Sequence, residues 1–559
     1  MPTIQFPKKD LEALLGRSMS VPKIEKYLAW VKGEIKDYQE ETDELRVELN
    51  DTNRPDLWCV EGIARQIRYK LTPQVRNSFS LKKKSKAPFQ ILVEPGTKAI
   101  RPYIGGCVAK GLLVDDQLLL QFIQTQEKLA DLYGRKRESV SIGLYRLEKI
   151  SFPVTYTVAE PSQVSFIPLN CDFKMTLAEI LKNHPKGQEY GFILEGTHRY
   201  PLLIDQKQQV LSFPPIINSR DLGEVKAGDQ NLLVEVTGTD LRMVALTINI
   251  WAANLSDRGA SIESVEVVYP EKTVFGKKVR MPFSFSKPLC VSLTDIDKAF
   301  AERFQTKEVM GLLKGFGHLV KLKGKKLEVT APPYRDDLMH PVDVIEEVAI
   351  SRGYDQFKPE LPPHFTVGDL SKEEKCSDWV RTFLIGMGFQ EMNSNILCSR
   401  EEIVERMQLD GGGVVEVDNI MSETYAVLRD SLLPSLLKVE AASSKAFYPH
   451  QIFEVGEVVR KTHPEDDPVT QVNLGALVAH PGANFSETHT YLEMLFYYMN
   501  CVYDLEPISH PSFLEGRVGR IRIEGKGVGF LGEIHPEVLD RWGILTPCSA
   551  FEVSLGEFF

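Results

Sequence analysis

The sequence predicts an α+β protein built of several domains, and three observations carry that reading. A chain of 559 residues divides into roughly three to four domains of ordinary size. Strand-like alternation and helix-like spacing both recur from end to end. Basic or turn-rich stretches interrupt the chain at Lys82 to Lys86, at Gly276 to Pro288 and from Glu360 onward. These breaks predict domains at 1–85, 89–275, 285–358 and 372–559.

Within 1–85, Asp10 to Leu15 and Val21 to Trp30 read as helices, and Glu44 to Asn50 as an alternating strand. The turn Asn50-Asp51-Thr52-Asn53 leads to Pro55, which opens a helix through Ile67. Proline suits that position because its missing N–H has no intrahelical partner to lose. Region 89–275 alternates strands and helices through ILVEP, PYIGGCVAKGLLV, NLLVEVTGTD and SVEVVY, a mixed α/β pattern. In 285–358, helices are predicted over Leu293 to Arg303, Thr306 to Lys314 and Pro341 to Arg352, with a hairpin about Lys323-Gly324. That order suggests a compact, winged-helix-like module of the nucleic-acid-binding type. The last unit mixes long helices with many strands, and no repeat of 20–50 residues is visible.

Composition excludes several classes. Hydrophobic residues at 43% and charged ones at 26% fill several cores, so the chain is not wholly disordered. A net charge of −11 excludes a uniformly basic nucleic-acid coat but leaves room for a local basic groove. The eight cysteines are scattered without a CxxC pair, which speaks against a zinc knuckle and for reduced thiols inside a cell. No apolar signal core opens the chain, and no apolar run approaches the ~18 residues of a membrane span. The expectation is a soluble, cytoplasmic protein with no membrane partner.

Generic catalytic signatures are mostly missing: there is no GxxxxGK[ST], HExxH or GxSxG. One GxGxxG exists at Gly527, Gly529 and Gly532, but its flanks alternate like strands, so Gly525-Lys526 reads as a hairpin turn and not a dinucleotide loop. The histidines do not cluster; His184 and His535 precede prolines and read as turn residues. The densest acidic stretch is PYRDDLMHPVDVIEEVAISRGYD, where Asp343, Glu346 and Glu347 share one face of the helix from Pro341 and Asp337 precedes it. Two readings stay open: a solvated face favoured by the helix dipole, to which spacing alone leans, and a site for a hard cation or a basic partner. In LLVEVTGTD, Glu235, Thr237 and Thr239 alternate onto one face; they line a pocket or form a solvated edge, and spacing alone leans to the edge. Leu203 and Ser212 belong to a predicted hairpin from Pro201. Basic runs at Lys82 to Lys86, Arg135-Lys136-Arg137 and Lys277-Lys278 are candidate nucleic-acid contacts, though each reads more readily as a solvated loop.

Read together and in order, NDTNRPDLWCVEGIARQIR, RPYIGGCVAKG, LSFPPIINS, LLVEVTGTD, APPYRDDLMHPVDVIEEVAISRGYD, VLRDSLLPSLL and IFEVGEVV resemble the β subunits of phenylalanyl-tRNA synthetases of the archaeal and eukaryotic-like type. The likeness covers the whole chain. It implies an (αβ)₂ heterotetramer in which the α subunit binds ATP and charges tRNA-Phe with phenylalanine. It implies a tRNA-editing domain at 89–275 and a class II synthetase-like antiparallel domain at 372–559 that lacks catalytic motifs. In IFEVGEVV, Glu454 stands where such a site would place its arginine.

The resemblance also implies that the β subunit hydrolyses Tyr-tRNA. A pocket for phenylalanine rejects an added hydroxyl weakly, whereas a second site that hydrogen-bonds the hydroxyl discriminates well. By the motifs, Glu235 and Thr237 line that pocket with Leu203 and Ser212 opposite, and water attacks the ester because no catalytic triad is visible. The family implies Mg²⁺ shared with the α subunit at Asp337, Asp343, Glu346 and Glu347. The rival readings are a free-standing editing hydrolase and a non-catalytic scaffold with a decayed pocket.

Overall fold

The computed structural model describes residues 2–72, 89–362, 364–443, 445–461 and 466–558. The basic run at Lys82 to Lys86 and the expected boundary at 85 lie outside the described residues. The chain forms two compact units, Met1–Glu360 and Leu361–Phe559.

The first unit opens with a three-stranded antiparallel sheet in the order Thr3–Pro7, Glu44–Leu49, Gly33–Gln39. Leu45, Val47 and Leu49 alternate inward along the middle strand and are fully buried. The helix expected from Pro55 is broken. Pro55–Leu57 makes one 3₁₀ turn, Cys59 is extended, and the α-helix runs Val60–Leu71. The break lets Asp56 take a buried bidentate pair with Arg54, both contacts at 2.8 Å.

A ten-stranded sheet follows. Its path is Ile217–Asn218, Val210–Phe213, Tyr200–Ile204, Val154–Ala159, Phe89–Val93, Ser261–Thr273, Tyr103–Lys110, Leu232–Gly238, Val140–Arg146, with Gly276–Met281 paired to Ser261–Thr273. Both pairings of Phe89–Val93 are parallel and the others antiparallel. Leu232–Gly238 therefore has a neighbour on each side and is buried throughout, so the solvated edge to which spacing leans is wrong; Thr239 and Asp240, just past the strand, are exposed. Helix Leu241–Asp257, almost entirely buried, covers one face of the sheet. One continuous core runs from Ile4 through Trp251 to Met281, so the opening sheet and the ten-stranded sheet share it. The large sheet rolls until its end strands meet: the Asn218 amide donates to the Leu144 carbonyl at 3.5 Å across the seam.

The small module packs helices Leu293–Phe300, Thr306–Lys314 and Pro341–Arg352 on an antiparallel sheet ordered Leu289–Ser292, Lys326–Thr330, Leu319–Lys323. Its first helix stops short of the expected Arg303 because Ala301 turns left-handed, φ 52°.

In the second unit a seven-stranded sheet runs Gln390–Glu391, His450–Arg460, Val469–Ala479, Cys548–Ser554, Lys526–Ile534, Phe513–Ile523, Asp504–Pro507. Helices Lys372–Gly386 and Phe485–Tyr498 cover one core, and Leu433–Ala442 and Pro536–Trp542 cover the other. The GxGxxG glycines lie in a hairpin, as expected, but the turn is Glu524-Gly525, one residue earlier, with Ile523 paired to Lys526. Both turn residues are left-handed, which matches the twist of the flanking strands.

Candidate functional site

A cleft of about 410 Å³ opens at the seam of the ten-stranded sheet, roofed by helix Asp116–Lys128. Its volume falls in the range of small-molecule sites. Glu235 forms part of its floor and is 2% exposed. The Tyr145 hydroxyl donates to Glu235 Oε2 at 2.8 Å and lies 2.9 Å from Ser212 Oγ and 3.3 Å from Asn218 Oδ1. Glu235 Oε1 is buried without a hydrogen-bond partner. Burial pushes the Glu235 carboxyl up to about 7, with the Tyr145 hydrogen bond and the Arg101 charge pulling the other way. Burial and the facing carboxylate hold the Tyr145 phenol well above its ordinary value.

Gly143 permits this approach. A Cβ there would lie 2.3 Å from Tyr145 Oη and 2.6 Å from Glu235 Oε2. Arg137 stands at the rim, donating to the Pro215 and Ile216 carbonyls at 3.0 and 2.9 Å, its guanidinium 3.9 Å from the Tyr190 ring centroid. Of the run Arg135-Lys136-Arg137, all three residues are left-handed, and Arg137 is engaged where a solvated loop residue is expected.

Ser212 and Glu235 line the cleft. Thr237 does not: it shares the face of Glu235 by alternation, but its hydroxyl is taken behind the floor by Arg101 Nε at 3.0 Å and Ser141 Oγ at 2.9 Å. Leu203 sits directly opposite Ser212 in the strand pairing and is fully buried in the core. Both support the floor. Sequence reasoning missed Tyr145, Gly143, Asn218 and Arg137. Asn218 falls within the LSFPPIINS string, while nothing local marks Tyr145.

The acidic motif separates into two pairs. Asp337 and Glu347 converge on the buried Arg335: Nε to Asp337 Oδ1 at 3.0 Å, Nη1 and Nη2 to the two Glu347 oxygens at 2.7 and 2.8 Å. His318 Nε2 lies 2.8 Å from Glu347 Oε2, and Arg54 approaches both carboxylates at 3.9–4.0 Å. The Arg335 guanidinium holds Glu347 well below and Asp337 below the usual carboxylate range against the cost of burial. Asp343 instead accepts from the Met339 and His340 backbone N–H groups, both at 2.7 Å, as half of a capping box. Glu346 is exposed and pairs with Lys32 at 2.6 Å. Among the described residues, no three His, Cys, Asp or Glu side chains form a metal-binding group. The four carboxylates do not fit one cation as a set, because two already neutralise an arginine. His184, His340 and His535 each cap the N-terminus of a helix that opens on a proline, accepting a backbone N–H through Nδ1 at 3.1–3.2 Å.

In the second unit Glu454 is buried against Arg429, Nη1 to Oε1 at 2.8 Å, with Ser394 bonded to both. All eight cysteines are free. Among the described residues, no helix is long and apolar enough to cross a membrane.

Comparison with known proteins matches residues 290–354 to the tRNA synthetase B5 domain and residues 358–555 to the phenylalanyl tRNA synthetase beta chain CLM domain. The phenylalanine–tRNA ligase beta subunit of Borrelia hermsii is 40% identical over 562 residues, covering 100% of both chains. That of Thermococcus kodakarensis is 37% identical over 577 residues, covering 100% of this chain and 99% of its own. A crystal structure of an N-terminal fragment of the phenylalanyl-tRNA synthetase beta subunit from Pyrococcus horikoshii aligns with TM-score 0.60 and 37% identity, over 63% of this chain and 100% of the fragment.

Proposed function

Because this chain belongs to the family of phenylalanine–tRNA ligase β subunits, we propose that it pairs with an α subunit in a cytoplasmic (αβ)₂ ligase and that its own reaction is hydrolysis of Tyr-tRNA. The observation that carries the reaction is the free, buried Oε1 of Glu235 on the floor of an open cleft. An ionised carboxylate accepts a phenol proton, and a phenylalanyl side chain leaves that oxygen unpaired, which is costly in a buried site. The nearby hydroxyls of Ser141 and Ser212 are engaged with Thr237 and Tyr145, so water is the attacking group. Arg137 at the rim supplies a positive charge for a tRNA phosphate.

ATP chemistry belongs to the α subunit in this reading. The buried Arg429–Glu454 pair supports a packing role for the last unit, since it neutralises the arginine that Glu454 faces. For the shared Mg²⁺ this chain's contribution would come from Asp343 and Glu346, with Glu346 exchanging Lys32 for the cation. Two carboxylates from one chain, completed by water and a partner, suit a cation that keeps several waters. The full-length match to β subunits favours this reading over a free-standing hydrolase.

The test is enzyme-dependent deacylation of Tyr-tRNA and Phe-tRNA by this chain, alone and with its α subunit, with size analysis of the same samples. Tyr-selective deacylation by an assembled, Phe-charging complex supports the proposal. An assembled, charging complex without it reduces the chain to a scaffold.

A further inference from the structure

We propose that Tyr145 is the positioning residue that makes Glu235 selective for a phenol, gripping one carboxylate oxygen so that the other is presented to the substrate. The inference rests on the editing reading and adds a residue to it that no cleft motif contains.

The geometry is specific. Tyr145 comes from one end strand of the rolled sheet, Ser212 and Asn218 from the two strands at the other end, and Glu235 from the inner strand beside Tyr145. A phenol has one proton to give. With Glu235 ionised, that proton points at Oε2, and the Tyr145 oxygen is left to accept from Ser212 Oγ at 2.9 Å. Oε2 is thereby engaged within the protein, and Oε1 is left buried without a partner. A carboxylate free to rotate would offer either oxygen at poorly defined angles. One pinned at Oε2 offers Oε1 in one direction only. The internal tyrosine thus occupies the contact that a second substrate-like phenol would otherwise share, and a tyrosyl side chain completes the carboxylate. Gly143 is the space this arrangement requires, since any Cβ there meets both Tyr145 Oη and Glu235 Oε2.

The charged and titratable groups facing Glu235 are Tyr145, Tyr156 and Arg101; Glu127, Arg137 and Lys186 stand elsewhere around the cleft. Arg101 spends its donors on Thr237, Ser141 and the Glu138 carbonyl. Tyr145 is therefore the donor that favours the charged form of Glu235 by direct hydrogen bonding.

The experiment measures deacylation of Tyr-tRNA and Phe-tRNA by the assembled complex from pH 6 to 8.5, for wild type, Tyr145→Phe and Ser212→Ala. Phe fills the volume of the tyrosine ring and removes only the donor. Tyr145→Phe is expected to lower the Tyr/Phe hydrolysis ratio by roughly tenfold to a hundredfold at neutral pH, the value of a hydrogen bond to a charged group. Its acidic limb shifts to higher pH, so raising the pH restores part of the ratio. A purely structural role would lower both rates together and leave the limb in place. Ser212→Ala is expected to move both quantities the same way by less, and it carries the test should Tyr145→Phe fail to assemble. An assembled Tyr145→Phe complex with wild-type ratio and profile overturns the role of Tyr145 while leaving editing intact. A wild-type complex with no Tyr-tRNA deacylation overturns both.

Discussion

Arg335 holds Glu347 by two guanidinium nitrogens, Nη1 to Oε2 at 2.7 Å and Nη2 to Oε1 at 2.8 Å, with both side chains buried. Arg335 simultaneously takes Asp337, and Arg54 of the opening segment completes the cluster. It thus ties the small module to the start of the chain.

Glu347→Gln leaves Asp337 as the one carboxylate paired with the buried Arg335, a loss expected to fall below the about 3–5 kcal/mol of a fully unpaired buried charge. The folded Glu347 carboxyl lies below its ordinary 4.5, so its stabilising contribution is present above that value and is lost as pH falls through the folded value. Thermal melts of wild type and Glu347→Gln should therefore differ most near neutrality and converge in acid.

Glu235 behaves in the opposite sense. Its folded carboxyl is raised to about 7 from 4.5, so the folded chain holds a proton that the unfolded chain has lost, and stability falls as pH rises from 4.5 to 7. Glu235→Gln removes that cost. The variant is expected to melt higher than wild type at pH 8 and to lose selectivity for Tyr-tRNA, a trade of stability for function. Melting and deacylation on one preparation check both.

Gly143→Ala forces a methyl onto Tyr145 Oη and Glu235 Oε2. Overpacking of this kind costs about 1–3 kcal/mol. Tyr-tRNA hydrolysis should fall while phenylalanylation by the complex is kept, measured side by side.

Asp343→Asn with Glu346→Gln tests the Mg²⁺ assignment. The double variant should weaken Mg²⁺ binding to the assembled complex in a calorimetric titration. Equal binding by wild type and double variant would remove this chain's exposed acids from the site.

Part of the candidate site was legible in the sequence where it depended on one strand or one hairpin. Alternation put Glu235 and Thr237 on one face, and the hairpin expected from Pro201 held Leu203 and Ser212, which the strand pairing then sets opposite one another. What alternation cannot give is which hydroxyl faces the cavity and which is claimed from behind, and Arg101, more than a hundred residues upstream of Thr237 (|i−j| = 136), decides that. Tyr145 was illegible for the same reason: its partners are 67 to 90 residues away and meet it only because the sheet rolls. In the acidic motif, i, i+3, i+4 spacing gave the correct helix but not the burial of Glu347, because Arg335 and His318 reach it from before the helix. The helix from Pro55 failed locally, where an extended Cys59 separates a 3₁₀ turn from the α-helix.

The seam where the two end strands of the large sheet meet carries a second consequence. An open strand edge is a template for pairing with another chain, and proteins blunt such edges to stay monodisperse. Here Val140–Arg146 and Ile217–Asn218 blunt one another through Tyr145 and Asn218. Substitutions that pry the seam apart would thus also surface as self-association in a concentrated sample.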